Sequence, residues 1–204
     1  MSRDKDIRLT FWKEDEKTYA KTYKAHTGKR QWFLEYSYYY SMITRATNDN
    51  YKERFPTYKE VVVEGRIADY NYFVEWSRQQ KGFGNLGWVL DKDILIPHNK
   101  VYSEETCVFV PNIVNSFFTF IKTSNCNEYP YGVSWCGSEN KFKAYCAQLN
   151  GKNKTLGRFN SPETAAQAYR DSKNGLALDL ARKFESQLDE RVTKALYNFD
   201  VANY

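Results

Sequence analysis

The chain has 204 residues and a formal net charge of +5, with 30 Lys and Arg against 25 Asp and Glu. Hydrophobic residues make up 42% of it and aromatic residues 17%, which excludes a disordered chain, because that much apolar material drives burial. No apolar run approaches the roughly 18–20 residues of a membrane span, and the charged start Met1-Ser2-Arg3-Asp4-Lys5-Asp6 lacks the apolar stretch of a secretory signal. The expectation is a cytoplasmic, mildly basic protein of one domain or two small ones.

Residues 1–32 read as a charged leader with a turn at Thr27-Gly28. Trp32, Tyr36, Tyr39, Tyr40 and Ile43 then recur at helical spacing and predict a helix with a wide apolar stripe. Exposed tyrosines would give bases a surface to stack on; packing into a core is the simpler reading. After Pro56, Glu60-Val61-Val62-Val63-Glu64 predicts a short strand. Residues 69–79 predict an amphipathic helix carrying Tyr72, Phe73 and Trp76.

Gly82-Phe83-Gly84-Asn85-Leu86-Gly87 is a formal G-x-G-x-x-G. A dinucleotide site needs a strand before it and a helix after it, and the order here is the reverse. A flexible connector is expected instead. From Trp88 to Pro111 the pattern is strand, turn, strand, around Asp91-Lys92-Asp93 and the turn residues Pro97-His98-Asn99-Lys100. Val101-Tyr102 and residues 107–110 return as extended segments. A helical run covers 113–121, and Thr123-Ser124-Asn125 looks like a linker and domain boundary.

Three strands are predicted next, at 132–136, 141–149 and 154–159, with turns at Gly137-Ser138-Glu139-Asn140 and Asn150-Gly151. In the middle strand Phe142, Ala144 and Cys146 point one way and Lys143, Tyr145 and Ala147 the other. Ser161 then caps a helix with Pro162 at its first position. Ala165, Tyr169, Ser172, Leu176 and Leu180 supply its packing face. Asn174-Gly175 is expected to kink or end it, with a further helix within 185–197. The fold class is α+β.

The four cysteines, Cys107, Cys126, Cys136 and Cys146, form no Cys-x-x-Cys pair, so neither a zinc ribbon nor a thioredoxin-type site has its signature. Buried free thiols are expected. His26 and His98 are too few for a multi-His metal site and weaken any His-based triad. Catalysis would have to rest on carboxylates, Asn, Lys or Tyr.

Residues 131–160 hold five cations (Lys141, Lys143, Lys152, Lys154 and Arg158) against Glu139 alone. A basic sheet face with interleaved aromatic and amide groups suits a DNA groove, where cations neutralise phosphates and amides or hydroxyls reach base edges. Charge alone would equally describe a solvated outer face. The order of residues adds to this. Tyr131-Gly132-Val133-Ser134-Trp135, Asn140-Lys141-Phe142-Lys143-Ala144, Leu156-Gly157-Arg158-Phe159 and Glu163-Thr164-Ala165-Ala166-Gln167-Ala168-Tyr169 resemble, block by block, the plant ethylene-response-factor (Apetala-type) DNA-binding domain. The resemblance implies a three-stranded sheet placed in the major groove of double-stranded DNA. By alignment and strand alternation, the groove-facing positions are Ser134, Cys136, Lys141, Lys143, Tyr145, Asn153 and Thr155. Ser134, Cys136 and Ala147 stand where plant members carry arginine, so base specificity is not carried over.

The stretch before it, with Leu90-Asp91-Lys92-Asp93-Ile94-Leu95, Asn99-Lys100-Val101-Tyr102-Ser103 and Glu105-Thr106-Cys107-Val108-Phe109-Val110-Pro111, resembles the HNH module of phage homing endonucleases. The resemblance implies a hairpin plus helix in which a histidine deprotonates water and a divalent cation stabilises the leaving oxygen. Aligned so, Asp91 takes the metal-ligand place, Lys92 replaces the general-base histidine, Asn99 matches the middle Asn, and Thr106 falls near the last position. A lysine of ordinary pKa near 10.4 is protonated at neutral pH and cannot take that proton.

Three readings stay open. The module is a relic in which Asp91 and Asp93 are structural; or it is a divergent nuclease with catalytic Asp91, Lys92 and Asn99 and a Mg²⁺ on Asp91 and Asp93; or the chain is a non-enzymatic phage accessory protein that binds a host or phage protein on the same scaffold. The organisation implied is a leader (1–32), an HNH-like ββα module with helical additions (33–122), an ethylene-response-factor-type sheet packed on a helix (129–183) and a helical extension (184–204). The implied setting is the cytoplasm of a phage-infected bacterium.

Overall fold

Two units, Met1–Phe109 and Val110–Tyr204, make up the chain, and the computed structural model describes residues 11–13, 16–119 and 128–201. The start of the leader, the end of the apolar run at Phe120-Ile121, the linker Thr123-Ser124-Asn125 and Cys126 lie outside the described residues. The fold is mixed α/β. Among the described residues it has six α-helices and several small sheets, one of them three-stranded and antiparallel. No helix among them is long and apolar enough to cross a membrane.

In the first unit, β1 (Phe11–Lys13) pairs with β2 (Glu16–Thr18), and β3 (Thr22–Lys24) with β4 (Arg30–Trp32). The second hairpin turns at Gly28, whose φ of +75° suits a residue without a side chain. The stretch read as a charged leader therefore contains two hairpins, and Tyr19 between them is buried.

Helix α1 (Leu34–Thr47) forms where aromatic spacing predicts it, but its inward line is Glu35, Met42 and Ala46. The expected stripe through Trp32, Tyr36, Tyr39, Tyr40 and Ile43 is corrected at Trp32, 49% exposed, and Tyr40, 47% exposed, while Tyr36 and Tyr39 pack against the buried cluster of Tyr19, Tyr70 and Val74. The helix can turn a carboxylate inward because Arg78 Nε meets Glu35 Oε1 at 2.9 Å. Tyr38 and Tyr39 pack their rings and donate from their tips, to the carbonyls of Trp88 at 2.8 Å and Ala68 at 2.7 Å.

Helix α2 (Asp49–Arg54) is capped by Asn48. Strand β5 (Val62–Val63) follows, and then α3 (Tyr70–Gln79), where Asp69 Oδ1 accepts from Tyr72 N at 2.9 Å. Helix α3 buries Tyr70, Phe73, Val74 and Trp76. Tyr72, expected on that face, points away and donates to Glu104 Oε2 at 2.5 Å. The glycine connector is built of turns, with Gly82, Gly84 and Gly87 all at positive φ. Strand β6 (Trp88–Asp91), β7 (Val101–Tyr102) and β8 (Val108–Pro111) come next; β7 runs parallel to β5, and β6 pairs with β8.

The second unit opens with α4 (Asn112–Phe118). Strands β9 (Val133–Cys136), β10 (Lys141–Ala147) and β11 (Asn153–Phe159) form the antiparallel sheet in the order β11-β10-β9. Helix α5 (Pro162–Phe184) starts as expected, with Ser161 Oγ accepting from Thr164 N at 3.3 Å. It lays Ala165 and Ala166 on Val133 and Ala144, ringed by Phe142, Leu156 and Phe159. These small residues let helix and sheet approach closely. Gly132 shows how closely: a Cβ there would collide with the Tyr169 ring.

The break expected at Asn174-Gly175 does not occur. The helix continues because Ala177, Leu180 and Ala181 are fully buried beyond it, and that burial outweighs a glycine cost of about 1 kcal/mol. The packing face is also corrected, since Ala177 rather than Leu176 is buried and Ser172 is only half-buried. Helix α6 (Glu190–Tyr197) is capped by Asp189. In the same unit the Phe117 ring of α4 meets Phe199 at 4.8 Å, and Lys173 Nζ lies 4.1 Å from the Phe117 ring centroid.

Candidate nucleic-acid interface

Helix α5 packs on one face of the sheet, and the residues of the other, open face are exposed or half-buried. Cross-strand register builds that open face row by row: Cys136 beside Lys141; Ser134, Lys143 and Arg158; Tyr145 beside Thr155; Ala147 beside Asn153. All seven positions expected from the sequence, Ser134, Cys136, Lys141, Lys143, Tyr145, Asn153 and Thr155, fall in these rows. Phe142 and Ala144 alternate to the other side, in the core with α5, and Cys146 is buried.

Arg158 is the member that alternation misses. Counting in twos along β11 places 153, 155 and 157 together and sends 158 to the core face. The register slips by one between β10 and β11 at Ala144/Tyr145, where Tyr145 faces Thr155 but Ala144 faces Gly157. That slip keeps Leu156 and Phe159 both inside and turns Arg158 outward beside Lys143. The glycine within Leu156-Gly157-Arg158 was the signal for it. The Arg158 guanidinium pairs with the Glu139 carboxylate, 48% and 38% exposed. Exposed pairs contribute little, about 0–1 kcal/mol, so this arginine is readily given up to another anion. Cys136, expected as a buried thiol, is half-exposed on the open face with Sγ 3.4 Å from Ser138 Oγ. Cys107 and Cys146 are buried as expected, and burial pushes the Cys107 thiol up to about 12.

The central loop is tied at every residue the HNH alignment singles out. Asp91 Oδ1 accepts from Asp93 N at 2.7 Å and Ile94 N at 2.9 Å, which closes a local turn. Burial holds its carboxyl above the usual carboxylate range, against the pull of those two donors. Lys92 is 4% exposed; its ammonium meets the Asp93 carboxylate and donates to Asn99 O at 2.7 Å. Asn99 Nδ2 donates to Lys92 O at 2.8 Å and Val101 O at 2.6 Å, while its Oδ1 accepts from Val101 N at 3.0 Å. Thr106 Oγ1 donates to Val101 O at 2.8 Å. His98 sits exposed at the turn with φ +62°.

The four residues are therefore brought together, but as the lashing of a loop. Asp93 Oδ1 is engaged by an ammonium and the Asn99 amide oxygen by a backbone N–H, so a Mg²⁺ at Asp91 and Asp93 would compete with these bonds for its oxygen ligands. Among the described residues no three of His, Cys, Asp and Glu converge as a metal-binding group.

Compared with family models, with curated proteins and with solved structures, the chain matches none.

Proposed function

We propose that the second unit binds double-stranded DNA through the open face of its three-stranded sheet, as a homing-endonuclease-like phage protein whose central loop is kept for structure. The observation that carries this reading is the row Ser134-Lys143-Arg158 with Lys141 and Tyr145 beside it, cations and hydroxyls on one surface with a helix behind. Lys141, Lys143 and Arg158 neutralise phosphates; Ser134, Tyr145, Asn153 and Thr155 reach sugar or base edges. Only Arg158 and Asn153 of these side chains can pair bidentately with a base, so affinity is expected to rest mainly on phosphates and to fall steeply with salt. The order of the four sequence blocks supports the ethylene-response-factor-type assignment. The buried Lys92 and the backbone-bound Asn99 support a binding role without strand cleavage.

Gel shifts with duplex DNA across a salt series test the first part. Lys143→Ala with Tyr145→Ala is expected to weaken binding about tenfold or more and to reduce the salt slope by about one. Unchanged affinity would refute the assignment of the sheet face. Plasmid nicking with Mg²⁺ or Mn²⁺, beside Asp91→Ala and EDTA, tests the second. No nicking in samples that shift DNA is the expected result; metal-dependent nicking abolished by Asp91→Ala would instead establish a lysine-tolerant nuclease. Neither nicking nor a shift would leave the protein-partner reading.

A further inference from the structure

The first unit carries its own concentration of exposed rings and cations, none of them part of the interface proposed above. Trp32 ends β4 and Tyr36 and Tyr40 follow on one side of α1. Their centroids lie 5.2 Å (Trp32–Tyr36), 4.9 Å (Trp32–Tyr40) and 6.0 Å (Tyr36–Tyr40) apart. Tyr36 is anchored from beneath, edge-on to Tyr70 at 5.6 Å, in the cluster of Tyr19, Tyr70 and Val74. Trp32 and Tyr40 stay half in solvent. A core would hide them. The anchored ring holds them in place instead.

The hairpin and helix that carry the rings are rich in cations. Between Tyr19 and Asn48 the sequence has a single carboxylate, Glu35, and it is buried against Arg78. On the adjoining hairpin Lys21, Lys24, Lys29 and Arg30 are all exposed, and Lys21 Nζ sits 5.6 Å from the Tyr36 ring centroid. Lys24 and Arg30 are direct partners across β3 and β4. Like charges facing each other destabilise a two-stranded ribbon, and an anion between them removes the repulsion. The nearest acids on the packed helix are already engaged: Asp69 caps α3, and Glu75 accepts from Tyr19 Oη at 3.2 Å.

We infer that this surface binds single-stranded nucleic acid, with unpaired bases stacked on Trp32 and Tyr40 and the phosphate backbone along Lys21, Lys24, Lys29 and Arg30. Every base has a face to stack, so binding that rests on rings and phosphates tolerates sequence. Both halves of the ligand's chemistry are needed. A duplex hides its base faces and would meet only the cations.

The test uses the full chain and the anisotropy of a labelled oligothymidylate, beside a duplex of the same length. Trp32→Ala with Tyr40→Ala is expected to weaken single-strand binding by about tenfold or more, given the usual worth of base–aromatic stacking, with duplex affinity changed by less than about twofold. Trp32→Phe, which keeps a ring, should recover most of the loss. Lys24→Glu with Arg30→Glu should also weaken the single strand, and decides the matter if the alanine pair melts early. Lys143→Ala with Tyr145→Ala should leave single-strand binding intact, which separates failure here from failure of the sheet assignment. Absent binding of the wild type, unchanged affinity in the ring or charge variants, or equal losses on strand and duplex would each overturn the inference.

Discussion

Asp91 decides between lashing and metal binding at the scale of a single side chain. Its Oδ1 closes a turn by accepting from Asp93 N and Ile94 N, and an amide oxygen does this as well as a carboxylate. Burial raises the folded-state pKa, so the native state holds the proton more tightly than the unfolded chain, whose aspartate titrates near 3.9. Stability from this group is thus present below about pH 4 and lost as pH rises through the higher folded value. Asp91→Asn keeps the acceptor and never ionises. Urea melts should find it at least as stable as wild type at pH 7, with its advantage shrinking toward pH 4, whereas Asp91→Ala strands two backbone donors and should cost about 1–3 kcal/mol. Asn99→Ala breaks three backbone contacts and should cost about 2–4 kcal/mol. A large loss for Asp91→Asn at neutral pH, with Asn99→Ala neutral, would contradict the structural reading of this loop. The sequence shows which residue types stand here, but not that Lys92 is buried, and that depends on β7 and the turn folding back over it.

At the scale of elements, α5 is the clearest case of packing overruling local preference. Gly175 lies mid-helix, its φ is not in the left-handed region, and a Cβ built there meets nothing within 4 Å. Gly175→Ala should therefore stabilise the protein by about 0.5–1 kcal/mol, read as a rise in melting temperature. Gly132→Ala should do the reverse, because its φ is +75° and the new methyl meets the Tyr169 ring. What was legible in the sequence here is local: the Ser161-Pro162 start, the Asn150-Gly151 turn and the alternation along β10 all follow from neighbours in the chain. What was not legible depends on distant partners. Asn174-Gly175 reads as a break until Ala177 and Leu180 are seen buried, and Asn174 itself accepts from Val201 N at 3.1 Å. The inward face of α1 shifts because Arg78 lies 43 positions away in sequence. Arg158 joins the open face only through a one-residue slip in register.

Over the whole molecule, the second unit begins at Val110, upstream of the blocks that resemble a DNA-binding domain. The reason lies in α4. Val114 and Phe117 are buried at 0% and 5% exposure, the Phe117 ring meets Phe199 at 4.8 Å, and Lys173 Nζ donates to the Phe117 carbonyl at 3.3 Å. That carbonyl and the ring beneath it hold the Lys173 ammonium in place, while burial lowers its pKa. Two fragments separate the consequences. Residues 110–204 should melt cooperatively and bind duplex DNA with the salt dependence of the full chain. Residues 128–204, which keep the sheet and α5 but lose α4, expose Phe199 and should be less stable by about 3–5 kcal/mol, the usual range for removing one large buried aromatic. If the proposed DNA contact is the face formed by β9, β10 and β11 alone, the shorter fragment should still bind wherever it remains folded. Equal stability of the two fragments, measured by denaturant melts, would mean that α4 adds nothing to the second unit, and loss of binding in a folded 128–204 would move the contact surface off the sheet.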